Sequence, residues 1–228
     1  MLLPVKEFYD DLCFPGNYAI DDLQSYGDSI ENQYLELINK EILDGMAILD
    51  AGCGTGLISN LFALRNKNCN VIGVDFSNAV DYAEKFAKDN NINNVTFVKE
   101  DIATYTTNKK FDLIICQGVL HHIPEYQTVL EKLLDSITNN GKMILGLYHP
   151  FGRLTKKFVD IDYKSNILYK DQELNPYSLT FTYNQVKKMI PGWKINQCTP
   201  KLLNSVSAAA LFNYRNGGLV TYILERDK

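Results

Sequence analysis

The sequence predicts a doubly wound α/β domain: a mostly parallel, seven-stranded sheet with helices on both faces and an antiparallel strand at one edge. Three observations carry this reading. Strand-like and helix-like hydrophobic patterns alternate five times up to Tyr148. The strands are short, continuous apolar runs, as in sheets covered on both faces. A turn with alternate glycines, Gly52-Cys53-Gly54-Thr55-Gly56, joins the first strand to the helix that follows it.

Each element has its own signal. Ile30, Tyr34, Leu37, Ile38 and Ile42 recur at helical spacing, with Asp28 or Ser29 as N-cap and Gly45 as the stop. Ala47-Ile48-Leu49 reads as the first strand, and Leu57 to Arg65 as the helix after the glycine turn. Val71 to Val74 is the second strand, Ala79 to Asn90 a helix, Val95 to Val98 the third strand and Phe111 to Cys116 the fourth. A helix over Glu125 to Ile137 and an Asn139-Asn140-Gly141 turn lead into a fifth strand, Lys142 to Tyr148. Residues 149–181 are rich in Tyr and Phe, with Tyr163, Tyr169, Tyr177 and Phe181, and hold no βα pattern. Thr182 to Ile190 is helical and stops at Pro191-Gly192; Trp193 to Cys198 and Leu219 to Glu225 read as an antiparallel pair at the sheet edge. The chain therefore divides into an N-terminal cap (1–44), a core (45–148), an insertion or lid (149–181) and a C-terminal helix with edge strands (182–228), all in one domain.

Composition sets the outer bounds. With 228 residues, 46% hydrophobic and 22% charged, the chain can bury a full core, and disordered or coiled-coil readings fall away. No apolar run approaches the ~18–20 residues that span a bilayer. Met1-Leu2-Leu3-Pro4 lacks a basic, then apolar, leader pattern, so a cytoplasmic setting is expected. Five cysteines, at 13, 53, 69, 116 and 198, form no CxxC pair, which predicts reduced thiols and no metal site. Residues 1–140 carry 10 basic against 21 acidic side chains, and residues 141–228 carry 13 against 6. The acidic first part argues against general nucleic-acid binding. Lys156-Lys157 and Lys187-Lys188 read as solvated faces, though an anionic substrate also fits them.

In Ile48-Leu49-Asp50-Ala51-Gly52-Cys53-Gly54-Thr55-Gly56, an acid closes a buried strand before three glycines that let a ligand approach the backbone. The spacing is GxGxG, with Leu57 where a dinucleotide fingerprint places its last glycine, and no GxxxxGK[ST] loop exists. This motif resembles the signature turn of the class I S-adenosylmethionine-dependent methyltransferases, which have a Rossmann-like fold. The resemblance continues at Val71-Ile72-Gly73-Val74-Asp75-Phe76-Ser77, at Phe97-Val98-Lys99-Glu100-Asp101-Ile102, and from Phe111 through Gln117, His121 and His122 to Pro124. It implies S-adenosylmethionine as cofactor, with Gly52, Gly54 and Gly56 shaping the turn. Asp50 would orient the methionine amino group; a helix N-cap is its alternative. Asp75, 23 residues beyond Gly52, would accept from both ribose hydroxyls, and Asp101 from the adenine amino group unless it caps the next turn. Phe76 and Ile102 would border the ring, and Gln117 would lie beside the methionine end. Cys53 reads as filler in the turn, since no basic partner is near it in sequence.

The three histidines, His121, His122 and His149, all follow predicted strands, at the edge where open α/β sheets bind ligands. His149 and His121 are the candidate general bases, with packing as their alternative. Tyr9, Phe14 and Tyr18 would close over the methionine end, and residues 8–30 with 149–181 would form a mobile cover, or else pack on the sheet edge. Arg153 could hold an acidic acceptor or lie at the surface. An Asp/Asn-Pro-Pro-Tyr/Phe segment after the fourth strand and a Pro-Cys nucleophile are absent, which excludes the familiar DNA base methylations. Methyl transfer to an oxygen, nitrogen or carbon of a small molecule is the implied activity. Action on tRNA or protein, and a cofactor-binding module without turnover, are the rivals.

Overall fold

The computed structural model describes residues 3–14, 16–25, 33–150, 178–199 and 218–227. Three helices, α1 (Leu3–Leu12), α2 (Ile20–Ser25) and α3 (Gln33–Asn39), precede the sheet, where the apolar spacing had marked only one. Then follow β1 (Ala47–Ala51), α4 (Leu57–Arg65), β2 (Asn70–Asp75), α5 (Ala79–Asp89), β3 (Val95–Lys99) and β4 (Phe111–Gln117). A single 3-10 turn (Leu120–His122), α6 (Tyr126–Asp135), β5 (Ile137–Tyr148), α7 (Tyr183–Met189), β6 (Trp193–Thr199) and β7 (Leu219–Arg226) complete the described chain.

The strands form one seven-stranded sheet in the order β3-β2-β1-β4-β5-β7-β6. β1 pairs in parallel with β2 and β4, and β4 with β5; β7 runs antiparallel to both β5 and β6. The antiparallel strand thus lies one place in from the edge that the sequence assigned to it. The helical crossover from β5 leaves a one-strand gap before β6, and β7, returning from β6, fills it by pairing on both sides.

Alternation along β1 divides the core. Leu49 and Ala51 face one side with Leu130 and Leu133 of α6 and Val186 of α7. Ile48 faces the other with Ile38 of α3, Leu61 and Phe62 of α4, and Phe86 of α5. The same alternation turns Asp50 toward α4.

The Asn139-Asn140-Gly141 segment is a bulge inside β5 and not a turn before it. Phe111 pairs with Ile137, but Leu113 pairs with Lys142, so the intervening residues loop out of register. Asp112 holds the bulge: one carboxylate oxygen accepts from Thr138 Oγ1 at 3.1 Å and the other from the β1 amide of Ala47 at 3.0 Å. α6 begins and ends inside its expected span, because Ile137 is taken into β5. Thr182 and Gln185 form a reciprocal capping box at the start of α7.

Below the sheet, the side-chain amide of Asn94 donates to the carbonyls of Ala63, Asn66 and Cys69 at 2.9 to 3.0 Å. It ties the end of α4 and the approach to β2 to the start of β3. Replacing Asn94 with Ala removes the donor from all three carbonyls and should lower stability by about 1–3 kcal/mol. Urea unfolding measures this, and an unchanged midpoint would show that those carbonyls reach water unaided.

Candidate active site

Parallel strands bring their C-terminal ends to one edge, so Asp50 in β1, Asp75 in β2 and Gln117 in β4 sit along it. Between the first two lies the glycine turn. Gly52 and Gly56 have φ of 84° and 74°, left-handed values that glycine adopts without strain. Space demands glycine too: a Cβ on Gly52 would lie 2.3 Å from a methyl of Val119, and one on Gly56 2.6 Å from the Ala83 Cβ. The amides of Gly52 and Cys53 donate to the Val74 carbonyl at 2.7 and 3.1 Å, and the Gly54 amide donates to Asp75 Oδ2 at 2.9 Å.

Asp75 Oδ1 takes two further hydrogen bonds, from the amide of Ser77 at 2.9 Å and its hydroxyl at 2.7 Å. Asp50 is 2% exposed and accepts from the Ser59 hydroxyl at 2.6 Å. Burial pushes its carboxyl from 3.8 up to about 7; Ser59 opposes the shift and the nearby Asp75 charge adds to it. Burial also raises the Cys53 thiol, with Asp50 and Asp75 reinforcing the rise, which leaves it an inert wall of the turn.

Asp101 caps a turn: its Oδ1 accepts from the Ala103 amide at 2.9 Å, and its carbonyl accepts from the amides of Thr104 and Tyr105. Ile102 is buried behind it. Phe76 is half-buried beyond Asp75, with the Tyr9 ring edge-on at 6.2 Å. Tyr9 also meets His122 at 5.9 Å, so α1 lies across the edge from the second strand to the loop after the fourth. Asp10 Oδ1, accepting from the Asn78 amide at 3.0 Å, anchors that helix to the start of α5.

The segment after α1, expected as part of a mobile cover, is bonded to the glycine turn. Thr55 donates through its amide to the Phe14 carbonyl at 2.9 Å and through its hydroxyl to Gly16 at 3.1 Å. Tyr18 donates to the Thr55 carbonyl at 2.8 Å, accepts from the Asn60 amide at 3.0 Å and stacks on Phe86, so packing is its role. Residues 151–177, with Arg153, Tyr163, Tyr169 and Tyr177, lie outside the described residues.

Gln117 turns toward β7. Its Nε2 donates to Thr221 Oγ1 at 2.8 Å, and its Oε1 is buried without a hydrogen-bond partner among the described residues. Gly146 makes room for it, since a Cβ there would meet Oε1 at 2.3 Å. Beside it the imidazoles gather. His121 lies 3.8 Å from the Tyr148 ring and 4.2 Å from His122, all three buried. His149 follows Tyr148, is 1% exposed, and has its pKa lowered from 6.5 by burial. Among the described residues no group of three or more potential ligands is placed to hold a metal ion.

Sequence reasoning missed Ser59, Ser77, Val119, Tyr148 and Gly146. Ser59 carried a signal, as a hydroxyl in the first turn of an otherwise apolar helix, Leu57-Ile58-Ser59-Asn60-Leu61-Phe62.

A family model described as a methyltransferase domain matches residues 42–200. The (S)-coclaurine N-methyltransferase of Papaver somniferum is 33% identical over 106 residues, 46% of this chain and 30% of that protein. The ubiquinone biosynthesis O-methyltransferase of Coxiella burnetii is 31% identical over 155 residues, 64% of this chain and 65% of the relative. The chain thus spans between about a third and two thirds of the length of these curated relatives. The solved magnesium protoporphyrin IX methyltransferase from Synechocystis PCC 6803, with bound S-adenosylhomocysteine, superposes with a TM-score of 0.62 at 18% identity, over 98% of each chain. At that identity the likeness is one of fold.

The raised Asp50 carboxyl has a thermodynamic consequence. As pH rises, the unfolded chain releases this proton near 3.8 while the folded chain keeps it to about 7, so the group erodes stability across that window. Asp50→Asn should therefore stabilise the ligand-free protein at pH 8, with the gain vanishing toward pH 4. Urea unfolding at both pH values checks this, and a gain that is the same at each would mean that Asp50 ionises normally.

Proposed function

The chain belongs to the methyltransferase-domain family, and on that premise we propose that it transfers a methyl group from S-adenosylmethionine to a small-molecule acceptor. The observation that carries the reading is the pair of buried acids, Asp50 and Asp75, straddling a left-handed glycine turn. No cation is among the groups that shift Asp50, so a ligand ammonium would find its carboxylate uncompensated. That fits the methionine end of the cofactor.

Asp75 fits the ribose. An ionised carboxylate offers about four acceptor positions, and Gly54 and Ser77 take three of them. One position is open to a ribose hydroxyl, and rotation of the Ser77 hydroxyl frees a second. Phe76 and Ile102 supply apolar borders for the adenine, and Tyr9 closes the edge from above; Asp101, whose Oδ1 caps its own turn, serves there by shaping the loop after β3. When bound, the cofactor supplies an activated methyl group on a sulfonium, so the protein's task is alignment and exclusion of water.

The acceptor half is the imidazole and aromatic wall after β4 and β5. His149, held neutral by burial, is the proposed base that takes the acceptor's proton as the methyl group arrives, and His121, packed on Tyr148, is the second candidate. Relatives named for both N- and O-methylation of small molecules support this acceptor class. The odd number of cysteines, with free thiols at 13, 53, 69 and 116, supports a cytoplasmic setting.

Asp75→Ala should weaken binding of S-adenosylhomocysteine by about 1–3 kcal/mol in calorimetry. Unchanged affinity in a folded variant would remove the ribose assignment. Once a product-release screen of metabolite pools supplies an acceptor, His149→Ala should cut turnover by about 10²–10⁴-fold with cofactor affinity held. The wild-type rate should fall on the acid side only below pH 6.5, as the depressed imidazole protonates. A loss under about tenfold makes His149 a packing residue.

A further inference from the structure

β3 and β4 are joined by residues 100–110, which hold one hydrogen-bonded turn, Asp101 to Tyr105, and no helix. A parallel crossover usually brings a helix to cover the strands it passes. This one crosses β2 and β1 with a bare segment, and a pocket of about 120 Å³ lies between it and α6. Leu49, Ala51 and Val74 of the sheet, Ile102 and Tyr105 of the crossover and Leu133 of α6 line it. Lys132 and Ser136 stand at the side of α6.

The chemistry of this space is amphipathic. Leu49, Ala51, Val74, Ile102 and Leu133 are all at most 4% exposed and give the space an apolar part. Thr106, Thr107, Ser136 and Lys132 give it a polar one. Lys132 Nζ donates to the Ala103 carbonyl at 3.0 Å, which uses one of its three protons, and no carboxylate among the described residues pairs with it. The glycine turn, Asp75, Gln117 and the histidines contribute nothing to the lining. The volume compares with the roughly 150 Å³ apolar cavity that accepts benzene.

We propose that this pocket is a second binding site, for a small amphipathic carboxylate whose single ring or short alkyl body enters the apolar space while its carboxylate pairs with Lys132. The site owes its existence to the missing crossover helix. Its charge selects the anionic head, and its depth limits the body to one ring. Ile102 is the shared wall between it and the proposed cofactor site, so the two are adjacent and separately occupied.

Benzoate is the probe, titrated into the full chain without cofactor and followed by methyl NMR at Leu49, Val74, Ile102 and Leu133. Saturable shifts at these methyls are expected at benzoate concentrations on the order of millimolar. Lys132→Met, checked for an intact spectrum, should bind at least about tenfold more weakly, and Lys132→Arg should restore binding. Absence of saturation, equal binding by Lys132→Met, or equal shifts with toluene in the wild type would overturn the proposal. Benzoate should still bind when S-adenosylhomocysteine is saturating; competition between them would overturn it by making the pocket part of the cofactor site. A protein that binds benzoate but not S-adenosylhomocysteine would remove the function proposed above and keep this site.

Discussion

The amides of Gly52, Cys53 and Gly54 all donate to the end of β2, two to the Val74 carbonyl and one to the Asp75 carboxylate. Three successive backbone donors are thereby satisfied without a helix or a strand partner of their own. The chain can then curl through left-handed glycines and enter α4 at Leu57. From that geometry the rest follows. Ser59 falls within reach of Asp50, Val119 packs where a Gly52 side chain would be, and Thr55 is presented to the backbone of Phe14 and Gly16. The N-terminal cap is thus referred to the same strand end as the ligand turn.

Asp50 is a cost to the folded protein, because burial and the nearby Asp75 charge both oppose its ionisation. The two acids differ in their partners. Asp75 accepts from the Gly54 amide and from the amide and hydroxyl of Ser77. Asp50 has one donor, Ser59, and keeps its proton to about 7. A cationic ligand group beside Asp50 would favour its ionised form, so binding and deprotonation are linked at that residue. Such an arrangement trades stability of the empty protein for affinity toward a positively charged partner.

The sheet was legible because its strands are encoded locally: continuous apolar runs at the right spacing leave little choice of element. The glycine turn and the acids at the ends of β1 and β2 were legible for the same reason, being contiguous with those strands in sequence. What failed were features set by tertiary contacts. The Asn139-Asn140-Gly141 segment has turn composition, yet Asp112, from a neighbouring strand, draws it into a bulge. α1 and α2 have no sustained apolar period; α1 is held by a bond from Asn78, and the segment between the two helices by bonds from Thr55, all from outside their own sequence. Tyr18 reads in the sequence as either a ligand cover or a packing residue, and only Asn60 and Phe86, more than forty residues on, make it a staple. The orientation of Gln117 is set from outside its own strand too: Thr221 of β7 takes its amide and Gly146 leaves room for it.

That contrast separates the two halves of the edge. The cofactor half is written in short motifs at strand ends, each with its own hydrogen-bond logic. The histidine half, proposed as the acceptor side, is assembled from distant segments: the adjacency of β4 and β5 brings His121 against Tyr148, and Tyr9 of α1 reaches His122. The chain that follows Pro150 and returns at Ser178 is tied to this wall at its return, where the Leu179 amide donates to the His121 carbonyl and the Phe181 amide to Tyr148. Because those bonds use backbone groups alone, side chains on the returning segment and on the wall can change without loosening the attachment. On the proposed reading, acceptor choice can therefore vary in this fold while the glycine turn stays fixed.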